Sequence, residues 1–407
     1  MAGTFAERAV AAVAGTHAVI DLDAYAGNVR GMHQRLQRFG NVRLMAVVKA
    51  NAYGHGAVMC ARAALEAGAD WLGVARVEEG MMLRRAGITA PVLALGPINP
   101  ALVLQAARDN IAISIGSTGG LERVHPVLER LDDEALEVHL KIDTGMHRYG
   151  VYPDEAADVA RALSEEPAIR FGGIFTHFAT ADDEDDSYLQ EQQRRLVDTI
   201  HELLPEGLVP PLIHLSNSAA SIRGVLPREL QDYNVMFRPG LALYGLPPSD
   251  AVPTPPGFRR VMTLKTRLGR VFSLAPGEGV SYGLTHVAQT RLVCGTVPAG
   301  YGDGLHRLLS NRGWMSVDRR RCPIIGRVCM DQSVIDITTV SGPQEGDEVI
   351  VFGDGSGSSM TADDVARLTD TINYEVTTAV LPRVPRVYLN NGETVAIEDL
   401  EGLIERP

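Results

Sequence analysis

The chain has 407 residues, 45% of them hydrophobic, and 38 basic against 50 acidic residues give a net charge of −12. That length holds two or three domains with large cores, and the acidic balance argues against a nucleic-acid partner, which would want a basic patch. No stretch approaches 18 uninterrupted apolar residues, so no membrane-spanning helix is expected. The start, MAGTFAERAVAAVAG, carries Glu7 and Arg8 and lacks a basic lead-in, which argues against a secretory signal. Cys60, Cys294, Cys322 and Cys329 form no CxxC pair, so neither a zinc cage nor a disulfide scaffold is expected. A reduced cytoplasmic location is the expectation, with no metal.

From residue 44 to 246 short apolar runs recur: LMAVVKA, WLGVAR, PVLALG, IAISIG, LEVHLKIDT, FGGIFTHF, PLIHLSNS and VMFRPGLALYGL. Between them lie polar stretches such as HGAVMCARAALEAG and DEAADVARALSEE, whose apolar residues return every three or four positions. Near-continuous apolar strands alternating with amphipathic helices predict an α/β fold with a parallel sheet. Eight such strands predict a (β/α)8 barrel, with an open doubly wound sheet as the alternative. The acidic run at 181–186, ADDEDD, reads as a solvated loop whose charges favour the start of the next helix.

After residue 248 comes a proline-rich linker, PPSDAVPTPPG. Alternating β-branched segments follow, among them TLKTRLGRVFSL, RLVCGTVPAGYGDG, WMSVDRRRCPIIGRVCM and DEVIVFGDG. They predict a mostly antiparallel β domain. A helix, TADDVARLTDTI, and a hairpin turning at NNGE complete it. The expected boundaries are 1–247 for the barrel domain, its first 20 or so residues partly an extension, and 248–407 for the β domain.

In such barrels the active site lies at the C-terminal ends of the strands. Lys49 ends the first run, Arg148 follows the fifth, His177 ends the sixth, Asn217 and Ser218 follow the seventh, and Arg238 sits in the eighth. Polar residues naturally begin at strand ends, so each alone is weak; the convergence of five carries the reading. A lysine in a dry pocket is pushed toward the free amine that attacks carbonyls. SNSAAS and RPGLALYG offer backbone N–H groups after strands seven and eight, where barrels often hold phosphate. A reactive lysine, a phosphate cradle and an arginine for a pyridine nitrogen together describe a pyridoxal 5′-phosphate site. Arg238 can donate to that nitrogen but will scarcely surrender a proton to it, so the cofactor would be a modest electron sink. That favours chemistry which only removes and returns a proton.

These motifs resemble the bacterial alanine racemase family nearly end to end. The resemblance makes Lys49, in AVVKANAYGHG, the Schiff-base lysine and Tyr53 a phosphate contact. It places Arg148, in HLKIDTGMHRYG, beside cofactor and substrate, and matches Lys141 to a lysine often carbamylated in the family; an ordinary pair with Asp143 is the alternative. His177 is set against the cofactor ring, Asn217 and Ser218 at the phosphate, and Arg238 at the ring nitrogen, with Gly240 and Leu241 as backbone phosphate contacts. From the second domain, GVSYG gives Tyr282 as second catalytic base. PAGYGDG and GRVCMDQ give Tyr301, Cys329, Met330 and Asp331 to the substrate pocket, and TINYEV gives Tyr374 to the phosphate and entrance. The family uses Tyr282 and Met330 across a subunit interface, so the resemblance implies a homodimer.

The implied activity interconverts L- and D-alanine, supplying D-alanine for peptidoglycan, with Lys49 and Tyr282 serving opposite faces of the substrate. A tyrosine's ordinary pKa near 10 means such a base needs help, for which His177 and Arg238 are candidates. A broader amino-acid racemase and a non-catalytic cofactor-carrying barrel are the rival readings. The first differs only through small pocket contacts; the second is disfavoured by the large second domain.

Overall fold

The computed structural model describes residues 3–40, 42–131 and 135–407. It divides into two compact units, residues 25–52 with 57–258, and residues 1–24 with 53–56 and 259–407.

The first unit is a closed barrel of parallel strands, Arg43–Val47, Trp71–Val74, Val92–Pro97, Ile111–Ile115, Leu136–Lys141, Ile169–Phe175, Leu212–His214 and Val235–Phe237. The first strand pairs with the last (Arg43 with Met236, Leu44 with Phe237), so the open-sheet alternative is excluded. All eight predicted runs are these strands. Helices such as Ala57–Glu66, Val77–Arg85, Ala156–Glu165 and Ser187–Leu203 connect them. Ile111–Ile115 is buried at every position, as a strand covered on both faces must be. Its one polar residue, Ser114, donates to the carbonyls of Ala94 and Gly96, each at 3.0 Å. Within the acidic run, Asp185 accepts from Ser187 N at 2.9 Å and starts the helix Ser187–Leu203.

The second unit is built on an eight-stranded sheet. Across it run Arg320–Pro323, Trp314–Val317, Glu348–Phe352, Met262–Arg267, His17–Asp21, Arg386–Asn390, Glu393–Asp399 and Gly402–Glu405. Every pairing is antiparallel except His17–Asp21 on Arg386–Asn390. A three-stranded sheet, Arg270–Leu274, Leu292–Val297 and Ser333–Asp336, and a two-stranded one complete it. The NNGE turn is a two-residue hairpin with Asn391 and Gly392 both left-handed (φ 51° and 76°).

Two expectations change. The boundary 1–247 assigns the chain's start to the barrel, yet His17–Asp21 is hydrogen-bonded into the second unit's sheet. The capped helix Phe5–Ala14 lays Ala12 against Val387 and Ile397 there. The strand's partners lie some hundreds of residues away, and no local pattern reveals such pairing. TLKTRLGRVFSL, read as one segment, breaks at Leu268–Gly269 into strands of two different sheets.

Candidate active site

Lys49 stands just past the C-terminal end of the first barrel strand, on an unusual turn. Ala50, Asn51, Ala52 and Tyr53 all have φ of 52–53° and left-handed helical geometry. A left-handed non-glycine residue costs roughly 1–2 kcal/mol, so four in succession persist only when held. Glu79 is one clamp: its carboxylate accepts from Ala50 N at 2.6 Å and from Ala75 N at 2.7 Å. Asn51 is another, its side chain accepting from Ala57 N at 2.8 Å. Burial, then the charges of Arg148 and Arg238, pull the Lys49 pKa below its ordinary value against the raising effect of Glu79. Glu79→Gln should destabilise the chain by about 1–3 kcal/mol, because one carboxamide oxygen cannot replace both acceptors. It should also slow catalysis by loosening Lys49; urea unfolding and turnover measured together check this.

Around Lys49 the barrel gathers cations and imidazoles. Burial first, then Arg238 and Arg148, bring the Lys141 amine down to about 7, with Asp143 opposing. Lys141 Nζ and Arg238 Cζ lie over the Phe175 ring at 5.2 and 5.4 Å from its centroid, and Phe175 stacks on His214. Arg148 is exposed on the loop after the fifth strand. That loop is tied back by Asp143 Oδ1, which accepts from the amides of Gly145 and His147. His177 is half-buried and held well below its usual pKa by burial and by Arg238, Lys141, Arg148 and Lys49.

Arg238 is 4% exposed and organises this set. It donates to Thr176 O at 2.7 Å and to the Nδ1 atoms of His177 and His214, each at 3.3 Å. A guanidinium only donates, so both histidines must accept at Nδ1. His214 therefore carries its proton on Nε2 and donates to His139 Nδ1 at 2.8 Å. His139 in turn donates from Nε2 to Glu137 at 3.3 Å, and Glu137 pairs with Arg170. One obligate donor thus fixes every tautomer along the chain. Burial also lowers the pKa of His214 and His139, which keeps both neutral. Burial brings Arg238 itself down to about 9, still protonated at neutral pH. Three of its five N–H bonds are spent on these residues, which leaves one on Nε and one on Nη1 to donate elsewhere.

Beyond the seventh and eighth strands, Ser218 Oγ accepts from Gly240 N at 2.9 Å and Ala242 N at 3.2 Å. Asn217 caps the short helix Ser218–Arg223 and donates to Phe178 O. Leu241 is buried between the two amides. With its oxygen taken by these two amides, Ser218 keeps its O–H to donate to an acceptor here.

The remaining predicted residues lie in the second unit. Tyr282 is 74% exposed on a strained turn with Ser281 at φ 64°, ψ −176°, anchored by Ser281 Oγ donating to Arg327 O at 2.7 Å. Tyr301 N donates to Cys329 O and Gly302 N to Met330 O, at 3.1 and 2.8 Å. Tyr301, Cys329, Met330 and Asp331 therefore form one cluster, with Met330 54% exposed. Tyr53 and Tyr374 form another, their ring centroids 6.2 Å apart, and burial raises the Tyr53 pKa.

Sequence reasoning missed Glu79, Thr176, His214, Glu137 and Gln192. The last is buried and donates to His177 O. Only Glu79 carried a usable signal, as the acid three residues into a helix starting after Arg76.

The comparisons with known proteins agree over most of the chain. The family model for the alanine racemase N-terminal domain matches residues 20–248, and that for the C-terminal domain residues 261–388. The alanine racemase of Symbiobacterium thermophilum is 41% identical over 381 residues, 93% of this chain and 98% of that one. Alanine racemase 2 of Bacillus subtilis is 38% identical over 379 residues, 92% and 94% of the two chains. The Bacillus anthracis alanine racemase structure with bound L-Ala-P superposes with a TM-score of 0.86 at 34% identity, covering 95% of this chain and 98% of that one. The structure from D-cycloserine-producing Streptomyces lavendulae gives 0.85 at 37% identity, covering 93% and 98%. With both domains matched in order and relatives above 30% identity over nearly their full length, the chain belongs to the alanine racemase family of isomerases.

Proposed function

We propose that the protein racemises alanine with pyridoxal 5′-phosphate as cofactor, Lys49 and Tyr282 acting as the two acid–base groups. The observation that carries this is Lys49, a half-buried amine with lowered pKa at the barrel mouth, beside a buried arginine with N–H bonds to spare. When bound, the cofactor supplies the electron sink that acidifies the α-hydrogen of an amino acid. The residues present suit it. The Ser218 O–H, whose oxygen already takes the amides of Gly240 and Ala242, matches a phosphate, and the two remaining Arg238 N–H bonds match a ring-nitrogen acceptor. Arg238 donates there without yielding a proton. Tyr53 and Tyr374 keep the role the family gives them.

Lys49, as free amine, takes or returns the α-hydrogen on one face of the substrate, and Tyr282 serves the other. Arg148 binds the substrate carboxylate, with Tyr301, Cys329, Met330 and Asp331 shaping the pocket. Tyr282 and Met330, both exposed in the second unit, act in the partner protomer's site, so the working enzyme is a homodimer. Leu284, Ile372 and Leu381, also exposed, supply apolar surface for it. D-Alanine for cell-wall peptidoglycan is the product's use, and the cytoplasm its place. No helix among the described residues is long and apolar enough to cross a membrane.

Lys141 would carry a carbamate. An amine titrating at about 7 is partly free at neutral pH and adds CO2 to give R–NH–COO⁻ and a proton, converting a third cation beside Arg148 and Arg238 into an anion. A carbonyl resonance should appear on adding ¹³C-bicarbonate and vanish in Lys141→Ala. Unmodified Lys141 also sets a pH slope. Its folded pKa lies below the unfolded 10.5, so above pH 7 the unfolded chain binds more protons and stability rises with pH. Lys49 acts in the same sense. The rise should run from about 7 to about 8.5, where the buried Cys294 and Cys322 thiols, raised to about 11, begin to reverse it. Denaturation midpoints in bicarbonate-free buffer across this window measure the slope.

The test of the function is the visible spectrum of purified protein with a racemisation assay on a panel of L-amino acids. A cofactor band and D-alanine formation are expected. No turnover of alanine, with good turnover of serine or lysine, would overturn the specificity.

A further inference from the structure

We propose that Arg383 is a positioning residue that braces the two loops carrying Tyr301 and Met330. It donates from Nε to Asp303 Oδ1 and from Nη1 to Asp331 Oδ1, each at 2.8 Å. Asp303 is buried, and its other oxygen accepts from Gly300 N at 2.9 Å, closing the turn that presents Tyr301. That turn has no room to shift. A Cβ on Gly300 would stand 2.3 Å from Cys329 O and 2.4 Å from Met330 O, and one on Gly304 would stand 2.3 Å from Ala379 O. Tyr301 N and Gly302 N bond the carbonyls of Cys329 and Met330.

Two carboxylates therefore face one guanidinium, one at the root of the Tyr301 turn and one on the residue after Met330. Without Arg383, Asp303 is left buried beside a like charge, a situation that costs far more than losing an exposed pair. The two loops would then be held by their two backbone bonds alone, and the side chains they present would lose their fixed spacing. A lysine is a poor substitute, since a point charge lacks the planar fork that spans two carboxylates.

This inference rests on the racemase reading of Tyr301 and Met330, and its test separates the two. Cys329 is the partly exposed cysteine, the other three being buried, so its alkylation reports loop order without any activity. Holoenzyme carrying Arg383→Gln or Arg383→Lys is compared with wild type for KM and kcat on L-alanine and for the rate of Cys329 alkylation by iodoacetamide, located by mass spectrometry. Expected for Arg383→Gln are a KM raised about tenfold with kcat within about threefold, and alkylation several-fold faster. Arg383→Lys should fall between. Should Arg383→Gln fail to fold, Asp331→Asn opens one arm of the brace and should raise alkylation alone or with KM. An unchanged alkylation rate overturns the brace. Faster alkylation with unchanged KM in Arg383→Gln overturns the positioning role. Faster alkylation in a protein whose wild type turns over no alanine overturns the racemase reading and leaves the brace standing.

Discussion

Lys49→Ala should lose racemisation by about 10³-fold or more, roughly 4 kcal/mol of barrier at 1.36 kcal/mol per decade, and should purify without the cofactor's visible band. Both losses follow from one amine being tether and base at once. The fold should survive. Lys49 is held below its ordinary pKa chiefly by burial, so the folded state disfavours its charge, and removing it leaves thermal stability unchanged or raised. An alanine variant that kept both colour and turnover would remove Lys49 from the mechanism. One that unfolded early would instead assign Lys49 to holding its left-handed turn, a task the geometry gives to Glu79 and Asn51.

Tyr282→Phe is expected to divide two activities that are normally inseparable. Racemisation needs a group on each face of the substrate, so turnover should fall by about 10²–10⁴-fold, the usual worth of one acid–base group. Lys49 remains, so exchange of the α-hydrogen with D2O should persist for one enantiomer and fail for the other. The cofactor band should be intact. Equal, wild-type racemisation of both enantiomers would refute the two-base assignment. The same variant tests how the sites are shared. In a twofold dimer whose sites draw on both protomers, a hybrid of Lys49→Ala with Tyr282→Phe has one doubly damaged site and one intact site. Mixing and reassembling the two inactive proteins in equal amounts should then restore about one quarter of wild-type activity. No recovery means each protomer supplies its own tyrosine.

The barrel is legible because strands covered on both faces read as apolar runs, and all eight runs are its strands. The reactive residues at their ends are legible for the same reason: each is a polar residue closing an apolar stretch. What supports them is not. His139 and His214 lie inside strands and are indistinguishable locally from ordinary core histidines; their role exists only because Arg238, at the end of the neighbouring strand, faces one of them. Glu79 is one of two adjacent acids in a helix start, and only the fold aims it at Ala50 N. The pairing of His17–Asp21 with Met262–Arg267 and the reach of Arg383 to two separate loops are long-range facts with no local signature.

The row of imidazoles behind Arg238 resembles a path for protons from the site to the far end of the barrel, but its chemistry closes that path. To send a proton toward Glu137, Arg238 would have to release one, which a guanidinium does not do at neutral pH. To receive a proton from that side it would need a vacant lone pair, and it has none. That row is thus closed to protons from the site. A hydrogen taken from the substrate cannot be lost through Arg238 to the imidazoles behind it.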